Sequence, residues 1–174
     1  MLTALCIGTN YALLALPNVK FMDLIVFVGG FCFGPAIGGL IGVLSWTIYG
    51  TINPLGFSFP VWIATMTGEA IFGIVGGLAR MTAFPKNVSK IGDKLGAAVL
   101  FGGLSLFLTL SYDLIANFAY SYAFGINFIV AVVSGFPFAI LHLVSNVIFF
   151  SVGCVPAINT VLKICGGEKS VNEK

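Results

Sequence analysis

Long apolar runs, parted by short turns rich in glycine, proline and asparagine, constrain this chain more than any other feature. A surface built from such runs cannot be held in water. Of the 174 residues 59% are hydrophobic and only 8% charged, against about 25% charged in a soluble domain. In a bilayer every backbone amide must find its partner inside the protein, which leaves helices as the natural spanning element. The expected fold is therefore an all-α membrane protein. At roughly 20 residues per span, the length suits a single domain over 1–174 built as a six-transmembrane-helix bundle. The net charge of +2 rests on scattered lysines without a phosphate-tracking stripe, which excludes nucleic-acid binding.

The turn signals predict the following spans. Helix one covers 2–16 and is closed by Pro17-Asn18. A short second helix over 21–33 is broken by Gly34-Pro35, and a third follows over 36–49. The fourth runs over 60–78 and the fifth over 95–118. The last apolar region, 127–155, is too long for one straight span, so Gly135-Phe136-Pro137 is expected to kink or restart it. An even number of crossings puts both termini, the polar loop at about 80–94 and the tail at about 156–174 on one side. That side holds Arg80, Lys86, Lys90, Lys94, Lys163, Lys169 and Lys174, leaving Lys20 on the other, so both termini are placed in the cytoplasm and the chain in the cell membrane. Cys6, Cys32, Cys154 and Cys165 fall toward the reducing side, where a disulfide framework is not expected. The start lacks a basic region ahead of its apolar run, so no cleavable signal is expected, and no internal repeat suggests inverted halves.

Candidate functional residues fall into three groups. The polar-edged aromatics Tyr11, Trp46, Tyr49, Trp62, Tyr112, Tyr120 and Tyr122 all map to the outer half, which fits either a chance one-sided belt or an aromatic-lined pocket open to the outside. Asn18 and Lys20 in the first outer turn, and Asn53 and Phe57 in the second, flank that pocket. Lys20 has two readings, a contact for a carboxylate or phosphate and simple snorkelling. The second group is ionisable. A charge inside a span costs about 2.5–3.5 kcal/mol on insertion scales, which marks Glu69 and Asp113. Glu69 shares a face with Gly73 and Gly76 and should look into the bundle. Asp113 and Asn117 lie one turn apart with Thr109 and Tyr120 on the same face, and His142 and Asn146 form a similar pair on the final helix. Asp23 reads as no more than a helix N-terminal charge. Third, Ala4, Gly8 and Ala12 form a small-residue stripe on helix one, with Asn10 on the opposite face. Such a stripe serves either a partner helix or internal packing of the kind suggested by Gly30, Gly34, Gly38 and Gly42, or by Gly73 and Gly77. No zinc helix, phosphate-binding loop, nucleophile elbow or CxxC pair is present, so no metal, cofactor or catalytic residue is assigned.

Six helices with a short second one, the stripe on helix one, and the runs ALPNVKFMDLIVFVGGFCFGPAIGGLIGVLS (Ala15 to Ser45) and YDLIANFAYSYAFG (Tyr112 to Gly125) resemble the substrate-binding S component of energy-coupling factor (ECF) vitamin transporters. The resemblance covers nearly the whole chain, and PNV followed by an apolar run and FGP is closest to the cobalamin-associated branch. It implies capture of a vitamin or related micronutrient at an extracytoplasmic pocket. It further implies docking on a transmembrane coupling subunit energised by two cytoplasmic ATPases. The family's AxxxA docking motif would correspond to Ala4 and Gly8, extended to Ala12. Two departures stand out. The chain begins Met1-Leu2-Thr3 without the N-terminal histidine of the nickel and cobalt members, which disfavours metal-ion uptake. After Tyr49 it reads GTINPLGFSF where the cobalamin branch is Trp-rich. Competing expectations are a small autonomous secondary transporter and an intramembrane enzyme using Glu69, Asp113 and His142.

Overall fold

A computed structural model describes residues 1–54, 56–82 and 94–171, with side chains described for 1–54, 56–81 and 95–165. Lys86, Lys90 and Lys174 lie outside the described residues, and Lys94 and Lys169 outside the described side chains. Among the described residues the chain is all-helical: α1 (Leu2–Ala12), α2 (Met22–Phe33), α3 (Pro35–Thr51), α4 (Phe59–Thr82), α5 (Lys94–Phe124) and α6 (Phe128–Val171).

Three segments, Phe59–Met81, Leu95–Phe124 and Phe128–Cys165, are long and apolar enough to cross a membrane, and Met22–Phe33 is a shorter apolar helix. Large apolar side chains cover their outside, among them Phe107, Phe118, Ile129, Val133, Phe136 and Val152. That exterior belongs to a membrane protein.

Consecutive helices alternate in direction. The Tyr11 hydroxyl donates to the Ile52 carbonyl at 3.0 Å, which brings the ends of α1 and α3 together. At the opposite end Arg80, in the last turn of α4, donates through Nη1 to the carbonyls of Phe31 (3.1 Å) and Cys32 (2.6 Å). Those carbonyls belong to the last turn of α2, which has no further turn to satisfy them, and a cation there also complements the helix dipole. A buried aromatic core joins the halves, with Phe27 edge-on to Phe150 at 5.2 Å and to Phe101 at 6.0 Å.

The closest packing is glycine on glycine. A side chain at Gly73 would strike the backbone of Gly38, one at Gly30 the backbone of Gly73, and one at Gly77 Pro35. Three helices therefore touch nearly main chain to main chain, which supplies the dispersion contact that lipid cannot supply by hydrophobic drive. Gly34, at φ 101° between α2 and α3, makes the reversal in one residue, and Pro35 starts α3. A side chain other than glycine would be strained in that conformation.

Several expected boundaries need correction. Helix one stops at Ala12 instead of residue 16; Leu14 and Leu16 are exposed, Pro17 disfavours helix at the residue before it, and Asn18 takes φ 59°. Helix five runs on to Phe124, where Gly125 at φ 64° ends it, so Tyr120 and Tyr122 are helical. The last helix neither restarts at Pro137 nor stops at 155. It is one continuous helix of 44 residues with Pro137 and Pro156 inside, so the described part of the expected tail is helical. Proline is tolerated inside such helices because neighbouring groups and local adjustment meet the freed carbonyl.

Candidate functional site

Polar side chains converge at the end opposite Arg80. α2 contributes Asp23 from its first turn, α5 contributes Thr109 and Asp113, and α6 contributes His142 and Asn146. His142 sits between the two acids, with Nδ1 2.9 Å from Asp113 Oδ1 and Nε2 2.6 Å from Asp23 Oδ2. Both contacts are hydrogen bonds only when the ring carries two protons or one acid carries its own. Asn146 Nδ2 donates both to Asp23 Oδ2 (2.5 Å) and to Thr109 Oγ1 (2.9 Å). Five residues on three helices thus form one buried network.

Glu69 joins from α4. It is fully buried, and Oε2 accepts from Trp46 Nε1 at 3.2 Å. As expected from its face, it looks into the bundle. Its carboxyl and that of Asp23 lie within hydrogen-bonding reach, while Glu69 Oε1 and Asp23 Oδ1 have no donor from the protein. One shared proton would satisfy both oxygens. On the other side of Trp46, Lys20 Nζ lies 4.8 Å from the centroid of the indole ring, a cation–π contact. The Lys20 head thus rests on the ring of the buried Trp46.

Above the network lie three neighbouring cavities that share Trp46. The first, of about 240 Å³, is lined by Asn18, Lys20, Trp46, Tyr112, Asp113, Asn117 and Tyr120 from the sequence-predicted set, together with Thr65, Gly135 and Phe138. The second, of about 200 Å³, brings Tyr49 and Asn53 to the opposite side of Asn18 and Lys20. The third, of about 80 Å³, gathers Asn53, Phe57 and Trp62. Edge-to-face contacts order the walls: Trp46 with Tyr49 at 5.3 Å, Tyr49 with Tyr11 at 5.6 Å, and Tyr112 with His142 at 5.4 Å. Asn18 Nδ2 donates to the Phe138 carbonyl at 3.1 Å, tying the α1–α2 turn to α6 across the first cavity. Tyr122 is exposed and points away from the network.

Glu69, His142 and Asn146 are fully buried, and reach the first cavity only through Asp113 or Trp46. Asp23 is the residue that sequence reasoning misjudged: it is 1% exposed and bonded to both His142 and Asn146. The signal was available, because a carboxylate inside FMDLIVF sits in a run that is otherwise wholly apolar.

The stripe on α1 faces away from all this. Ala4, Gly8 and Ala12 are exposed, and a side chain at Gly8 would meet nothing within 4 Å. Asn10 and Cys6 on the other side of the helix are buried, and among the described helices α1 packs on α2 and α3. The inner stripes are different: Gly30, Gly38, Gly42, Gly73 and Gly77 are filled by neighbouring backbone. All four cysteines are free, and Cys6 lies beside Ser45 and within electrostatic reach of Glu69 and Asp23, nearer the polar network than its sequence position suggested. Among the described residues no group of three or more His, Cys, Asp or Glu side chains is arranged to hold a metal ion. Comparison of the chain with protein-family models, with curated proteins and with solved structures finds no match.

Proposed function

We propose that this protein is a membrane-embedded receptor for a small organic nutrient, an S component of an ECF-type importer, which captures its ligand in the Trp46 cavities and leaves energisation to separate subunits. The observation that carries the reading is the contrast between two surfaces: the Trp46 cavities, which Asn10 of α1 helps to line, and a small-residue face on the other side of α1 that none of the described residues fills. Ala4, Gly8 and Ala12 then form the seat for the coupling subunit, and the chain crosses the membrane six times with both termini in the cytoplasm. The pocket supplies binding without chemistry, because the imidazole nitrogens of His142 are both taken up by acids and only Asp113 of that cluster lines the cavity.

Coexpression with a coupling subunit and two ATPases tests this directly. The chain is expected to copurify with them, and mass spectrometry of gently purified protein should find one small molecule per chain. Gly8→Leu should weaken assembly while leaving the retained ligand in place. Loss of both together, or absence of both in the unaltered protein, removes the receptor reading.

The buried Asp23–His142–Asp113 chain also favours a second reading, an autonomous carrier coupled to protons, since carboxylate and imidazole chains inside membranes serve as proton relays. Proteoliposomes holding this chain alone, driven by a pH gradient without ATP, separate the two: accumulation of the copurifying molecule selects the carrier.

A further inference from the structure

Resting on the pocket reading above, we infer that the first cavity recognises a planar, positively charged nitrogen group, such as an amidine or a protonated aminoheterocycle, seated on Asp113. Three observations lead there. Asp113 is 9% exposed and lines the cavity, yet only one of its two carboxylate oxygens has a partner: Oδ1 meets His142, whereas Oδ2 is buried with no donor. A buried carboxylate oxygen without a donor is costly, and a ligand N–H supplies what the protein withholds.

The second observation is charge. At this end of the bundle the described ionisable groups around the cavity are three acids, Asp23, Glu69 and Asp113, against two bases, Lys20 and His142. With one proton shared between Glu69 and Asp23, the remaining carboxylate charges are just matched by Lys20 and a doubly protonated His142, so the cluster holds no spare positive charge for an anion. Lys20 is already committed to the Trp46 face and to the field of Asp23 and Glu69, so it does not offer a free cation for an anionic ligand. An anionic ligand would add an unmatched negative charge beside Asp113, whereas a cationic one is paired directly by that carboxylate.

The third is shape. Trp46, Tyr112 and Tyr120 wall the space beside Asp113, which suits a flat ring whose edge is read by hydrogen bonds and whose face is read by stacking and cation–π contact. The neutral donors of Asn117 do not compete for Asp113 Oδ2, because its Nδ2 donates to the Asp113 backbone carbonyl at 2.7 Å.

The experiment uses purified full-length protein in detergent at neutral pH, stripped of retained small molecules, and three matched probes: benzamidine, benzoate and benzyl alcohol. Fragments of this size bind at around millimolar affinity when a pocket suits them. Ligand-detected NMR titration is expected to show saturable binding of benzamidine, at least about tenfold tighter than of either other probe, as fits one hydrogen bond to a charged group. Asp113→Asn keeps an acceptor for His142 and removes the charge, and should weaken benzamidine at least about tenfold with little effect on benzyl alcohol. Lys20→Met should tighten benzamidine. Benzoate equal to or tighter than benzamidine, no saturation by benzamidine, or a folded Asp113→Asn protein that binds it unchanged overturns the inference. If that variant does not fold, the ranking of the three probes on the unaltered protein decides. The receptor reading is decided separately by copurification. An anionic retained nutrient on a partner-bound chain sinks the cation assignment alone, and benzamidine binding by a chain that copurifies with neither the coupling subunits nor a retained nutrient sinks the receptor alone.

Discussion

The cost of each polar group in this bundle depends on whether its partner is present. Asp23 shows this most sharply, since its Oδ2 takes hydrogen bonds from two residues on α6. Asp23→Ala strands both His142 and Asn146 in the interior, and breaking a buried charged pair from one side costs about 3–5 kcal/mol. Denaturant unfolding in micelles should register that loss, and Asp23→Asn, which keeps shape and an acceptor, should lose less. Glu69, Asp113, His142 and Asn146 were legible in the sequence because a polar residue on an otherwise apolar helix has no local explanation. Asp23 was not, because a carboxylate in the first turn of a helix already has one in the helix dipole, and its partner His142 lies 119 residues away. Removing the Trp46 indole N–H tests the same logic from the donor side. Trp46→Phe leaves Glu69 without its donor from the protein's side chains, with an expected loss of about 1–3 kcal/mol in the same assay.

Helices in this protein use small residues for two opposite purposes, and spacing alone does not separate them. Gly73→Ala drives a methyl group into the Gly38 backbone and should destabilise by about 1–3 kcal/mol or more, because main chain cannot move aside as a side chain does. Gly8→Ala adds the same methyl to open space and should leave unfolding unchanged within about 0.5 kcal/mol. A comparison of the two midpoints measures the contrast. The four-residue glycine period was plain from the sequence; which stripe has a neighbour is a tertiary fact that no single helix carries. The ends of elements were the other weak point. Apolar residues continue past Ala12 although the helix does not, and α6 continues through Pro137 and Pro156 although proline is a helix breaker in water. Apolar composition marks what lipid will accept, and in a membrane it does not mark where a helix stops.

At the scale of the molecule, alternating helices and the lopsided lysines predict which end meets which compartment. In a variant freed of its four native cysteines, a cysteine at Phe57 should react with a membrane-impermeant thiol reagent applied outside intact cells. A cysteine at Lys163 should react only after the cells are opened, and the reverse pattern would invert the assigned sidedness. The backbone contacts among α2, α3 and α4 carry a mechanical consequence. Helices that meet at Gly30, Gly38 and Gly73 have no compressible side chains between them, so those three behave as a single stiff plate. Trp46 and Thr65 ride on that plate, whereas the facing wall at Phe138 is held to the α1–α2 turn through the single amide of Asn18. If the vestibule takes a ligand as proposed, its Trp46 jaw would be the stiffer one, and adjustment to thicker ligands would fall to the outer part of α6 around Phe138, beyond the hydrogen bonds that anchor His142 and Asn146.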